Sequence, residues 1–241
     1  MKTNATMKKL RRTVSMIAAL SGLAVATQAQ MTIGDWQDYT DNGWIDWGNG
    51  KSITDPANLA PAGAYSFVDG VVPGYDTSLR VQKSGWNQDL AIKLEYTPGA
   101  VAAFLTNNQL RFTISVDGTG YSSGYDQINT IYINASGYGW HSVPSADITA
   151  TGDQSGTPGN FYFWGEGFQS QIVNVNYSSI LPLITATPGN GYIEIIFATN
   201  NGNNGPNYLD LNDVMLVPEP STLALIGLGA AGLFWLRRKN S

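Results

Sequence analysis

The 241-residue chain contains no cysteine. That excludes disulfides, a thiol nucleophile, a thiolate metal site and a lipid-modified cysteine anchor. It has one histidine, His141, so imidazole-rich metal or acid–base chemistry has little to work with. Charge is scarce, and basic charge is scarcest in the middle of the chain. Of 13 Lys and Arg, five precede residue 30 and three follow residue 236, which leaves five between. Of 18 Asp and Glu, only Glu219 lies outside residues 30–216, so that portion sits near −12. Such a surface repels nucleic acid and anionic lipid heads; cations and neutral polymers such as glycans are not repelled. Long apolar runs are also missing from the interior of the chain, and the two shorter ones lie at its ends.

At the first end, Lys2, Lys8, Lys9, Arg11 and Arg12 precede an apolar stretch from Val14 to Val25. Thr27-Gln28-Ala29 then supplies the small residues expected around a signal peptidase cut. The pattern predicts cleavage after Ala29, with Gln30 as the first mature residue; cleavage after Ala26 is the competing site. Arg11-Arg12 raises twin-arginine export, which the flanking residues fit poorly.

The other end reads VPEPSTLALIGLGAAGLFWLRRKNS. Pro218, Glu219 and Pro220 form a stiff polar triplet, Leu223 to Leu236 an uncharged run, and Arg237, Arg238 and Lys239 a basic stop. As a helix the run spans about 21 Å. Ser221, Thr222 and snorkelling arginines close most of the gap to a hydrocarbon core of about 30 Å. The basic cluster would stay cytoplasmic, placing the rest of the chain outside. An ordinary single-pass anchor is one reading. The ordered triplet, helix and basic tail also resemble the PEP-CTERM sorting signal. That resemblance implies a Gram-negative producer that makes extracellular polysaccharide. It also implies transient retention in the inner membrane and processing near the triplet by exosortase, a membrane cysteine transpeptidase. The mature protein would then sit at the cell surface or in a biofilm matrix.

Residues 30–216 are long enough for one domain with a proper core. After a stretch rich in Asp, Asn, Gly and Trp (residues 30–59), short alternating runs are predicted as strands. They cover 64–72, 78–82, 90–96, 109–116, 128–134, 161–164, 171–177, 192–198 and 208–217. Turn residues separate them, among them Pro73-Gly74, Asp117-Gly118 and Asn190-Gly191. The expectation is an all-β fold, a single antiparallel β-sandwich of jelly-roll type, with one or two short helices. Pro98 to Leu105 is the better helix, with Thr97 as N-cap; Ser178 to Thr185 is weaker because Pro182 interrupts it. The two helical stretches sit in matching contexts, strand–helix–strand–loop–strand, offset by 81 to 83 residues. An internal repeat or a chance likeness of alternating strands would both give this.

Three segments resemble galactose-binding-like and carbohydrate-binding jelly rolls. They are Asp38 to Gly48 with its Gly-Trp and Trp-Gly pairs, Ser78-Leu79-Arg80-Val81, and the closing Tyr208 to Leu216. The resemblance implies a structural calcium between first and last strands, for which Asp35, Asp38, Asp210 and Asp213 are the candidate ligands. Here Asn212-Asp213 stands where the family has Asp-Asn. Capping turns and keeping edges soluble is the simpler role for the same aspartates.

No catalytic residues are assigned. His141 and Ser142 are neighbours, which a strand points to opposite faces. Glu95 and Glu194 lie in alternating strands, and Glu166, among aromatics, has no fixed partner for glycoside hydrolysis. The aromatics are the stronger signal. Trp44, Trp47, Trp86 and Trp140 lie near glycines and are the candidates for stacking on a sugar ring, while Trp36 and Trp164 read as core. The sequence thus predicts a non-enzymatic exported surface protein, with a carbohydrate-binding module as alternative and a glycan-degrading enzyme as the remote third.

Overall fold

The structure is a computed structural model that describes residues 30–58, 65–82, 88–95, 98–120, 125–151, 161–164, 167–184, 191–201 and 208–218. The predicted signal peptide with its cut at Ala29, the tail from Glu219 through Arg237, Arg238 and Lys239, Trp86, Thr97 and Glu166 lie outside these residues. Among the described residues, no helix is long and apolar enough to cross a membrane. Residues 30–217 form one compact unit.

That unit is a two-sheet antiparallel sandwich, as the alternation predicts. The strands are β1 (Met31–Gly34), β2 (Trp44–Asp46), β3 (Lys51–Ser52), β4 (Tyr65–Asp69), β5 (Thr77–Gln82), β6 (Gln88–Glu95) and β7 (Gln109–Asp117). They continue with β8 (Tyr125–Ala135), β9 (Gly139–Ser142), β10 (Ile148–Ala150), β11 (Phe161–Trp164), β12 (Phe168–Asn176), β13 (Tyr192–Asn201) and β14 (Tyr208–Val217). Sheet A runs β10-β12-β7-β14-β5-β4, with β1 also on β14; sheet B runs β11-β8-β13-β6-β2-β3, with β9 also on β8. The strands not foreseen, β1, β2, β3, β9 and β10, are two to four residues long. Runs that short give alternation too few positions to register.

One helix, α1 (Pro98–Thr106), joins β6 to β7 and so carries the chain from sheet B to sheet A. Its counterpart between β12 and β13 is only a 3-10 turn, Leu181–Leu183, with Pro182 in its first turn. Tyr177 locks the two together. Its ring stacks on Phe104 at 4.5 Å, its hydroxyl donates to the Phe104 carbonyl at 3.0 Å, and its N–H donates to the Asn108 carbonyl. Burial pushes its phenol far above the ordinary tyrosine range.

The inner faces interdigitate around Leu79, Val81, Ile92, Phe112, Ile114, Ile131, Ile133, Ile195, Phe197, Leu209 and Leu211. Phe112 of sheet A meets Phe197 of sheet B edge-on at 5.0 Å. Trp44, taken from the sequence as a surface ring, belongs to this core and is fully buried. Its indole N–H donates to the Ile33 carbonyl at 2.7 Å, and its ring contacts Trp36 and Phe197. Gly34 makes room for this arrangement, because a Cβ there would stand 2.6 Å from the Trp36 ring.

The outer face of sheet A carries a polar row. Arg80 donates through Nε and Nη2 to the two oxygens of Asp210, both at 2.8 Å, and lies 3.7 Å over the Tyr208 ring. Asp210 is 2% exposed and Arg80 23%. Burial pushes the Asp210 carboxyl above its usual range, and Arg80 pulls it back. Arg80→Ala removes the partner and leaves the burial, which we expect to cost roughly 2–3 kcal/mol at neutral pH, the partial exposure of Arg80 having been discounted. The orphaned carboxyl then has a folded-state pKa above its unfolded one, so lowering the pH restores stability by protonating it. Urea midpoints of parent and variant should therefore lie closer together at about pH 4.5 than at about pH 7.5.

Candidate functional site

The outer face of sheet B holds an exposed aromatic cluster. In β8 the residues Ile131, Ile133 and Ala135 point into the core, so Tyr132 and Asn134 point outward. The glycine-bearing turn after Ala135 returns the chain as β9, which sets Trp140 opposite Asn134. Both Gly137 and Gly139 take positive φ, 80° and 81°, which that reversal requires. The Trp140 ring lies 4.9 Å from Tyr132 and 4.6 Å from Trp47.

Trp47 arrives from the far side of the sheet. It follows β2, and β6, β13 and β8 lie between β2 and β9. Flat strands about 4.8 Å apart would separate β2 from β9 by roughly 19 Å. Ring centroids at 4.6 Å therefore require the β2–β3 turn and the β8–β9 hairpin to lean toward each other over this face. Ile196 and Ala91 explain what lies beneath. Both alternate away from the core, yet both are fully buried. Trp47 and Trp140 themselves stay 41% and 37% exposed. Beside the rings, Asn134 donates from Nδ2 to Glu194 Oε2 at 2.6 Å. The site thus offers apolar ring faces next to a fixed amide–carboxylate pair, the combination that stacks on a sugar's C–H face while bonding its hydroxyls.

Of the tryptophans singled out from the sequence, the structure brings Trp47 and Trp140 together, buries Trp44 and does not describe Trp86. Tyr132, Asn134 and Glu194 went unnoticed as partners, although alternation in YDQINTIYINA already puts Tyr132 and Asn134 on one face. His141 is exposed and turned onto its own hairpin, with Nε2 2.9 Å from the Tyr138 carbonyl and its ring tilted against Tyr138, centroids 4.1 Å apart. A separate, mostly apolar cavity of about 320 Å³ opens between Ile53, Tyr65, Phe67 and Leu79 at the β4 edge. It presents little polar chemistry and lies between the sheets, where β4 and β5 of sheet A face the residues that follow β3 of sheet B.

The four aspartates proposed for calcium do not converge. β1 does pair with the end of β14, Gly34 opposite Val214, so first and last strands are adjacent as expected. But Asp210 is committed to Arg80, and Asp38 Oδ1 accepts from the N–H and hydroxyl of Thr40, which lowers its carboxyl pKa. Asp213, at φ 49°, sits in the bulge between Asn212 and Met215, and Asp35 is exposed. Among the described residues no three Asp, Glu or His side chains gather to hold a metal ion. The residues present do not fit a calcium cage built from side chains.

At the other functional end, residues 216–239 match the family model described as the PEP-CTERM protein-sorting motif. The tail carries a PEP-CTERM sorting motif. Pro218 leaves β14 directly, since that strand ends at Val217. No curated protein matches the chain. Solved structures of similar layout include the CBM27-1 module of Caldicellulosiruptor saccharolyticus, determined with mannohexaose: 14% identity, 79% of this chain and 98% of that one, TM-score 0.44. The CBM22-2 xylan-binding domain of Paenibacillus barcinonensis Xyn10C gives 7%, 79%, 99% and 0.43. A family 11 carbohydrate-binding module of a Clostridium thermocellum cellulosomal cellulase gives 11%, 79%, 95% and 0.40. The likeness concerns strand layout alone.

Removing divalent cations gives a direct check on the aspartates. Thermal melts with and without EDTA should superimpose, and a midpoint that falls on chelation would show that calcium binds through groups other than this cage.

Proposed function

We propose that this chain is a non-catalytic exported protein that its C-terminal helix holds in the inner membrane until exosortase processes it at Pro218-Glu219-Pro220. Signal peptidase removes the N-terminal leader, and the mature sandwich works at the cell surface or in an extracellular polysaccharide matrix. The motif match over residues 216–239 carries this reading. The charge layout supports it, with basic residues confined mostly to the two ends and a domain near −12 between them.

The sandwich binds a neutral glycan of that matrix through Trp47, Trp140 and Tyr132, with Asn134 and Glu194 bonding hydroxyls. The exposed, mutually packed rings are the observation behind this second part. A domain this acidic is repelled by anionic polymers, which directs the reading to uncharged chains.

Mass spectrometry of the mature protein tests the sorting. A C-terminus at or near Pro218 to Pro220 is expected; a chain running intact to Ser241 in the surface fraction would reject exosortase processing in favour of a plain anchor. A glycan array tests the binding. Trp47→Ala and Trp140→Ala should each weaken retention about tenfold or more, about 1.4 kcal/mol; each also uncovers part of Ile196 and Ala91, so retention is compared below the lowered thermal midpoints, where both variants remain folded. Retention that survives the double substitution would remove this face from the site.

A further inference from the structure

The anchor reading raises the question of which part of the sandwich faces the lipid. β14 runs to Val217 and pairs there with Gln109, the first residue of β7; Gln109 also faces Asn176, the last residue of β12. The chain therefore leaves toward its apolar tail at the end of the sandwich that carries α1 and the Leu181–Leu183 turn. From Val217 to Leu223, where the apolar run begins, there are six residues, which reach at most about 20 Å even fully extended. A polar headgroup layer fills several ångströms of that. Once the tail is in the membrane, this end of the domain cannot stand far from it.

The end is built for such proximity. Neither α1 (PGAVAAFLT) nor residues 177–184 (YSSILPLI) contains a charged residue, although the domain as a whole is near −12. Leu105 on α1 is 39% exposed, and Leu183 on the turn is 59% exposed. Ala103, Leu181 and Ile184 lie beneath them, half-buried against the core. The Phe104–Tyr177 stack fixes α1 and the turn side by side, so the two leucines project from one rigid cap. Among the described side chains, one carboxylate bonds to the cap, Asp147, which accepts from the Ser179 hydroxyl. Elsewhere the surface would be repelled by anionic lipid; here it is not.

We propose that this cap, with Leu105 and Leu183 as its contacts, rests on the lipid surface while the C-terminal segment is inserted. It is the acyl–headgroup boundary that takes the leucines, as it takes the apolar face of interfacial segments. Docking holds the domain against the bilayer beside the Pro218-Glu219-Pro220 triplet, and it ends when processing releases the tail. The inference rests on the anchor reading above but not on the glycan site.

Because the chain has no cysteine, single reporters can be placed cleanly. Leu183→Cys, Leu105→Cys and, at the opposite end of β7, Thr119→Cys would be labelled with a nitrobenzoxadiazole dye in the full chain. The labelled chain would be reconstituted into phosphatidylcholine vesicles containing shallow doxyl-labelled lipid. The expected result is flotation of all three with the vesicles, and quenching with a blue shift at 183 and 105 at least twofold greater than at 119. Flotation with equal, weak quenching at all three sites overturns the docking and leaves the anchor standing. Failure to float overturns the anchor and the docking with it. Labels at 183 that self-quench with protein density, and not with doxyl lipid, would show that a second copy covers the cap, which also overturns the proposal.

Discussion

The hydrogen bond from the Trp44 indole to the Ile33 carbonyl fixes the start of the sandwich, and much else depends on it. Ile33 is in β1 of sheet A and Trp44 in β2 of sheet B, so this 2.7 Å contact ties the two sheets where the first strands enter them. Around it the rings of Trp36, Trp44, Phe197 and Phe112 pass contact from one sheet to the other. The segment between β1 and β2 is short and irregular, with Trp36, Tyr39 and Asn42 all at positive φ. Residues held there cost roughly 1–3 kcal/mol each unless their surroundings compensate. Two buried indoles are the compensation. With β2 so pinned, the next residue, Trp47, is aimed outward over sheet B. The exposed ring of the candidate site is held by the buried one three residues before it.

This shows where sequence reading reaches and where it stops. The long strands were legible because β-branched and aromatic residues recur at every second position in β7, β8, β12, β13 and β14. Trp44 and Trp47 looked alike: each has glycine next to it, and neither lies in a run long enough to show a phase. Their opposite fates follow from one tertiary hydrogen bond between residues eleven apart. Asp210 shows the same limit. An aspartate near an adjacent terminus suggests a cation ligand, but its partner is Arg80, 130 positions away, and only the β5–β14 register brings the two together. Charge and alternation can be read locally; which charge meets which cannot.

The offset likeness between the two strand–helix–strand stretches has a counterpart in the topology. Sheet A contains the order β12-β7-β14, and sheet B contains β6-β13-β8. Exchanging each strand for the one 81 to 83 residues away turns the first order into the second. The exchange also maps the pair Asn176 and Gln109 onto Glu95 and Tyr192, both of which are observed partners. The ladders of β14 with β7 and of β8 with β13 agree less closely, because each carries its own register shift. The strand order is thus the one the repeat requires, and α1 and the Leu181–Leu183 turn become equivalent crossovers between sheets. Equivalence puts both crossovers at one end, which is why two uncharged elements lie together there.

The same end gathers the first and last strands of the domain. β1 begins one residue after Gln30 and pairs antiparallel with the last turn-free residues of β14, Met31 opposite Leu216. Gln30 reaches across to the Met215 sulfur. Gln30 and Pro218 therefore flank the closing strand pair of the domain. A pair 185 residues apart in sequence closes a loop that spans the whole domain, and the contacts of β1 with β14 offset the entropy of closing it. The β1–β14 pairing thus closes the sandwich, and Pro218, the first residue of the triplet in the sorting motif, stands where the closing strand ends.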